Sequence, residues 1–290
     1  MKAPDPKRDP KSLPMLLRKL KLPSFVSHYA DMAKKAQSEG WTFEEFLAHL
    51  VELEITERDH RRKDRNRKRS GLPHDKTLGT LDMKRLPRKV QTQLPALCRG
   101  DFAEGAENVL AFGLPGRGKT HLVAAIGHEL VARGYRVLFQ PAFSLVQMLL
   151  RAKKDLLLER QLRRLEAFDV VILDDMGYIQ QSREEMEVLF TFLSERYERR
   201  SVVVTSNLVF SEWDKIFKDP MTTAAAIDRV VHHATILELT GPSIRAQEAQ
   251  ERNKDLDLGD KKPQEENDDP DKPGDPKPKG PKPKDPKPKE

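Results

Sequence analysis

Residues Gly113, Leu114, Pro115, Gly116, Arg117, Gly118, Lys119 and Thr120 form a complete G-x-x-x-x-G-K-[ST] sequence. Three glycines let a backbone approach an anion closely, the lysine reaches β- and γ-phosphates, and the threonine hydroxyl is a ligand for Mg²⁺. The chemistry implied is nucleoside triphosphate binding. Two carboxylates, Asp174 and Asp175, end the apolar run Phe168-Asp-Val-Val-Ile-Leu. With a phosphate loop upstream, Asp174 suits Mg²⁺ and Asp175 suits orientation and deprotonation of an attacking water. A further run, Ser201-Val-Val-Val-Thr-Ser-Asn207, ends in small polar residues. One of them could sense the γ-phosphate: Asn207 is preferred, with Thr205 and Ser206 open, and turn chemistry is the competing explanation. Arg229, beside Asp228, is either a surface ion-pair member or an arginine that neutralises transition-state charge in a neighbouring subunit.

These groups need a strand, a turn and a helix in a fixed order. Asn108–Phe112 is apolar enough for the strand, and His121–Ile126 begins an amphipathic helix whose N-terminus adds partial positive charge. Strands are expected at 108–112, 136–140, 169–174, 201–206 and 235–239. Helices are expected at 119–132, 143–153, 156–167, 183–198, 211–217 and 222–231. That alternation predicts an α/β fold, a five-stranded parallel sheet flanked by helices, over residues 101–252. Continuous apolar runs suit strands covered on both faces, with ligands at their C-terminal ends.

Two other regions differ in composition. Residues 1–75 read as a small, basic, all-helical domain, with helices around Leu13–Leu20, Ser24–Gln37 and from Thr42 onward. Thr42-x-x-Glu45 is a capping box, and Phe43, Phe46, Leu47, Leu50, Val51 and Glu54 follow helical spacing. From Glu57 to Arg69 charge replaces the stripe, eight Lys or Arg against three acids, until Gly71 and Pro73 break the helix. Residues 76–100 form a connector with a short helix near Leu86–Leu97. Residues 253–290 are mostly Lys, Asp, Glu, Pro and Gly; with no core to bury and prolines recurring from Pro263 on, this tail is expected to be disordered. Its charges nearly cancel, so the chain's net +6 belongs to the rest, a candidate polyanion binder.

Two stretches suit phosphate contact: Arg61, Arg62 and Arg65 in the N-terminal region, and Arg151, Lys153, Lys154, Arg160, Arg163 and Arg164 after the second strand. Neither interleaves aromatics, so the expected mode is backbone contact with DNA instead of base stacking; a solvated helix face is the alternative. The single cysteine, Cys98, excludes an intrachain disulfide and suits packing. His232 and His233 have no carboxylate beside them in sequence and give no metal site. No apolar stretch approaches a membrane span and no hydrophobic leader is present, so no membrane partner and a cytoplasmic location are expected.

Together the Gly113–Thr120 loop with His121-Leu122, Val-Val-Ile-Leu-Asp-Asp175, Val-Val-Thr-Ser-Asn-Leu208, Asp-Arg-Val-Val-His-His233 and the Phe43–Glu54 helix with its basic continuation resemble the IstB-like ATPases. These are AAA+ helper proteins encoded beside a transposase in bacterial insertion sequences, related to DnaC-type helicase loaders and, further off, to DnaA initiators. The resemblance runs from Leu16 to Arg245. It implies an AAA+ P-loop NTPase using ATP and Mg²⁺, a homo-oligomer (ring or helical) on double-stranded DNA, and a cognate transposase as partner. A helicase loader and a nucleotide-gated DNA scaffold with negligible turnover are the alternatives. By position, Lys119, Thr120 and His121 belong to the nucleotide site, Asp174 and Asp175 form the acidic pair, Asn207 is the first sensor and Arg229 the finger. Arg245 matches the arginine of a Gly-x-Ser-Tyr-Arg segment and is a candidate second sensor, with Ile244 in place of Tyr. Asp175 stands where many AAA+ ATPases have Glu, which implies slow turnover.

Overall fold

The computed structural model describes residues 12–176, 182–209, 212–213, 220–244 and 246. The chain opens with three helices, α1 (Leu13–Lys19), α2 (Pro23–Glu39) and α3 (Phe43–Ser70). Each boundary has a local cause. Pro23 sits in the first turn of α2, where its missing N–H costs nothing. The Thr42 hydroxyl accepts from Glu45 N while Thr42 N donates to the Glu45 carboxylate, closing the capping box at the start of α3. Gly71 ends α3 at φ 66°, a left-handed value at which a side chain is strained.

Leu17, Phe25 and Leu50 form a small core between these helices. At its rim Glu54 is only 3% exposed. Its carboxylate accepts from Ser24 N at 2.8 Å and Arg58 Nε at 2.7 Å. Burial alone would raise this carboxyl's pKa, but the Arg58 and Ser24 hydrogen bonds outweigh it and hold the value below 4.5. The far end of α3 lies on the remainder of the fold: Asn66 Nδ2 donates to the carbonyls of Gly134 and Tyr135.

After a connector containing α4 (Arg88–Arg99) and the short α5 (Asp101–Glu104), strand and helix alternate. The elements are β1 (Asn108–Phe112), α6 (Lys119–Ala132), β2 (Val137–Pro141), α7 (Ala142–Lys154), α8 (Leu158–Glu166), β3 (Val170–Asp174), α9 (Arg183–Arg196), β4 (Ser201–Ser206), α10 (Pro220–Val231) and β5 (Ala234–Glu238). All pairings are parallel in the order β2-β3-β4-β1-β5. The central strands β1, β3 and β4 are buried throughout, which is why they read as unbroken apolar runs, whereas the edges β2 and β5 are mostly half-buried. One face is covered by α4 and α6 through Val90, Leu94, Leu122, Ile126 and Leu130. The other is covered by α7 to α10, including Leu145, Leu149, Leu189, Phe192 and Val230.

The expected parallel sheet is present, with element ends within a few residues of expectation. The helix expected at 211–217 falls largely outside the described residues; within it, Trp213 is fully buried. Cys98 packs inside α4, and burial pushes its thiol up to about 11, leaving it protonated and inert at neutral pH. No described helix is long and apolar enough to cross a membrane.

Candidate nucleotide-binding site

The C-terminal ends of β1, β3 and β4 lie side by side, and the polar residues that follow them meet there. Gly113 leaves β1 at φ 155°, and a Cβ on it would lie 2.5 Å from the Leu239 carbonyl, so only glycine fits. Gly116 and Gly118 also have positive φ, and α6 starts directly after Gly118 with its N-terminal N–H groups toward the loop. Lys119 is 6% exposed, and its Nζ donates to the carbonyls of Gly113 at 2.6 Å and Leu114 at 3.2 Å. Its ammonium is thereby held within the arch of the loop. Leu114 and Pro115 are exposed at the crest.

The Thr120 hydroxyl lies 2.9 Å from Asp174 Oδ1, so the two oxygens expected to hold Mg²⁺ are adjacent. Thr205 links both acids. Its hydroxyl donates to Asp174 Oδ1 at 2.6 Å and accepts from Asp175 N at 2.8 Å. Asp174 is buried at the end of β3, whereas Asp175 is exposed with φ 58°. A left-handed backbone is uncommon for a non-glycine residue and turns the chain sharply out of the strand. Thr205 is thus a positioning residue for the acidic pair, a role that strand periodicity alone does not reveal. Ser206 is engaged locally, bonding the N–H and carbonyl of Leu208. Asn207 Oδ1 is buried with no hydrogen-bond partner, one of four such side-chain atoms among the described residues.

The segment after β5 closes one side of the loop. Leu239 N donates to Phe112 O, Arg117 Nη1 to Leu239 O, and Ile244 N to Gly116 O. Arg245, the candidate second sensor, lies outside the described residues. His121 meets the connector: its Nε2 is 3.1 Å from Thr80 Oγ1 and 3.2 Å from Thr77 O.

Arg229 sits elsewhere. Asn108, the first residue of β1, donates from Nδ2 to the carbonyls of Arg229 and Val230. The loop begins at the other end of β1, about 16 Å away at roughly 3.3 Å per residue. The Arg229 guanidinium lies 4.5 Å from the Phe190 ring centroid, and its Nη1 is another of the buried, unpartnered atoms. Within one subunit, Arg229 is therefore remote from the phosphate loop.

The two basic stretches are sorted by the fold. Arg151, Arg160 and Arg164 converge on a groove of about 590 Å³ between α7 and α8. Phe143, 58% exposed, lines it too. It lies two helical turns before Arg151, so scanning the charged run for aromatics passes over it. Lys153 instead pairs with Glu187 of α9 at 2.8 Å, and Arg163 lies 4.0 Å from Glu159. Lys154 is exposed outside the groove lining. Arg61, Arg62 and Arg65 line a second groove, about 830 Å³, with Arg18, Lys21 and Arg58. Arg61 is partly committed there to Glu54 at 3.4 Å and Arg62 to Asp59 at 3.4 Å.

The model of the IstB-like ATP binding protein family matches residues 15–252. The chain belongs to this family. An insertion-sequence ATP-binding protein of Sinorhizobium fredii is 43% identical over 245 residues, covering 84% of this chain and 82% of that one. The IS21 ATP-binding protein of Pseudomonas aeruginosa is 38% identical over 239 residues, covering 81% and 89%. Among solved structures, AMPPCP-bound DnaA from Aquifex aeolicus superposes with a TM-score of 0.51 at 19% identity, over 65% of this chain. The match spans 57% of that initiator's length and establishes the shared AAA+ fold.

Proposed function

We propose that this IstB-like protein is an ATP-hydrolysing switch that assembles on double-stranded DNA in its ATP-bound form and there engages its partner transposase. The observation that carries the reading is the division of labour across the sheet: phosphate loop and acidic pair at one end, Arg229 at the other. Lys119 and the α6 N-terminus bind the triphosphate. Thr120 and Asp174, already adjacent, are the residues that would hold Mg²⁺, whose charge offsets that of the β- and γ-phosphates. Asp175 accepts the proton of the attacking water, and Asn207 Oδ1 is available to orient it. The Arg117-anchored segment closes the side of the loop from which a second sensor would act, the role the family resemblance gives Arg245.

Arg229 cannot serve its own loop across the length of β1, so its role is in a neighbouring subunit, and turnover requires oligomers. Releasing it from Phe190 forfeits a cation–π contact of about 1 kcal/mol, offset by relief of a buried unpaired N–H. The α7–α8 groove is the preferred DNA contact, because three arginines converge there with few competing acids. Phe143 adds an apolar wall. The α3 groove is the secondary candidate.

The test is assembly on duplex DNA, measured by sedimentation with ATP, with ADP and without nucleotide. ATP-dependent assembly by the native chain, lost in Lys119→Ala, is expected. Equal assembly by both proteins in all three conditions would overturn the switch.

A further inference from the structure

His232 and His233 follow α10 with no carboxylate adjacent to them in sequence, but the fold brings one to both rings. Glu198, in the turn after α9, reaches both imidazoles: one ligand atom from each residue lies within 4.8 Å of the others. Among the described residues this is the one grouping of three or more His, Cys, Asp or Glu side chains with that geometry. The rings of His232 and His233 lie 4.0 Å apart at 46°, and all three residues are exposed. Tyr197 adds a further feature, its hydroxyl 2.8 Å from His232 Nδ1.

We propose that Glu198, His232 and His233 form a binding site for a divalent transition-metal ion, with Zn²⁺ the preferred occupant. Two imidazole nitrogens and one carboxylate oxygen are a zinc donor set, completed by water in a fourth position. Mg²⁺ and Ca²⁺ take oxygen ligands, so this site is distinct in chemistry from the one at Thr120 and Asp174. Zinc bonds of about 2.0–2.2 Å put tetrahedral ligand atoms roughly 3.4 Å apart. Closure from the observed spacing therefore asks for shifts of about an ångström in exposed side chains. Metal-bound histidines commonly give their other ring N–H to an oxygen, which fixes the tautomer. With the ion bound, Nδ1–H of His232 would donate to the Tyr197 oxygen 2.8 Å away, leaving Nε2 to the ion.

The ion would join the end of α9 to the end of α10. Arg229 lies one helical turn before His232, and its guanidinium already rests on Phe190 of α9. Metal binding would thus stiffen the helix pair that carries Arg229. The site itself rests on the local geometry and not on the ATPase reading.

The experiment uses the full chain, stripped with chelator, titrated with Zn²⁺ against a chromophoric competitor and followed in parallel by thermal melting. One equivalent bound at micromolar affinity or tighter, with a rise in Tm, is expected. Glu198→Gln and the double variant His232→Asn/His233→Asn should lose that equivalent while melting like the native apo-protein. Tyr197→Phe should weaken it about tenfold or more through the histidine it orients. A control, His60→Asn, alters an exposed histidine elsewhere and should bind as native. Absence of a micromolar equivalent, or unchanged binding in the double variant, would overturn the site. Unchanged affinity in Tyr197→Phe would overturn its positioning role.

Discussion

In the proposed mechanism Lys119 and Asp175 act at different steps. Lys119→Ala removes the ammonium held under the Gly113 and Leu114 carbonyls, and nucleotide affinity measured by titration should fall at least a hundredfold. Asp175→Asn keeps the loop and the Thr205–N–H bond, so affinity should hold while kcat falls about 10²–10⁴-fold, the usual contribution of a general base. Thr205→Val tests the linkage between the acids. It leaves Asp175 N without its side-chain acceptor and Asp174 with Thr120 but not Thr205 as a hydroxyl donor, which should lower stability by about 1–3 kcal/mol and reduce kcat with little change in KM. An unchanged kcat would show that Thr205 serves packing alone. The loop, the acidic pair and the cluster at 205–207 were legible in sequence because strand ends in a parallel sheet mark where ligands bind. Which member of Thr205, Ser206 and Asn207 does what was not, because side-chain direction at a strand end depends on the neighbouring strand.

Among the elements, α7 and α8 carry the clearest external surface. Replacing Arg151, Arg160 and Arg164 together by alanine should flatten the dependence of log affinity for duplex DNA on log salt by about 0.9 per lost phosphate contact, up to roughly three units in all. Replacing Lys153, already paired with Glu187, should change the slope far less. The α1–α3 unit offers a pH test. Glu54 has a folded pKa below its unfolded value, so its contribution is present above pH 4.5 and is lost as pH falls through the folded value. The Tm advantage of native protein over Glu54→Gln should therefore shrink on going from pH 6 to pH 3; an advantage that persists there would assign Glu54 no linkage role. Helix starts and stops were readable in this region because capping boxes, prolines and glycines act locally. Glu54 was read as part of an apolar spacing; that it is a buried ion-pair partner to Arg58 depends on where α2 packs.

At the scale of the whole molecule, the proposed function together with the separation of Arg229 from the phosphate loop would make ATP turnover a property of an assembly. Mixing Arg229→Ala with Lys119→Ala should restore some ATPase activity, since each variant supplies what the other lacks across one interface; no recovery at any ratio would exclude an intersubunit arginine. The parallel sheet and the contact of α3 with the turn between α6 and β2 through Asn66 arise from contacts between residues far apart in sequence. The alternation of apolar and polar runs anticipated the sheet but not this junction.

The sequence by itself determined that a triphosphate loop feeds a helix, that a carboxylate pair ends a buried strand, and that charge gathers in two stretches. Such facts are local, set by residue type and spacing within a few turns of chain. Only the tertiary structure decided that Thr205 bridges Asp174 and Asp175, that Arg229 lies a full strand length from its own loop, and that three arginines of the α7–α8 run share a groove while Lys153 does not. It also brought Glu198 to His232 and His233. Each of those is a meeting of side chains on different elements, and helix packing and strand order, not periodicity, set the distances between them.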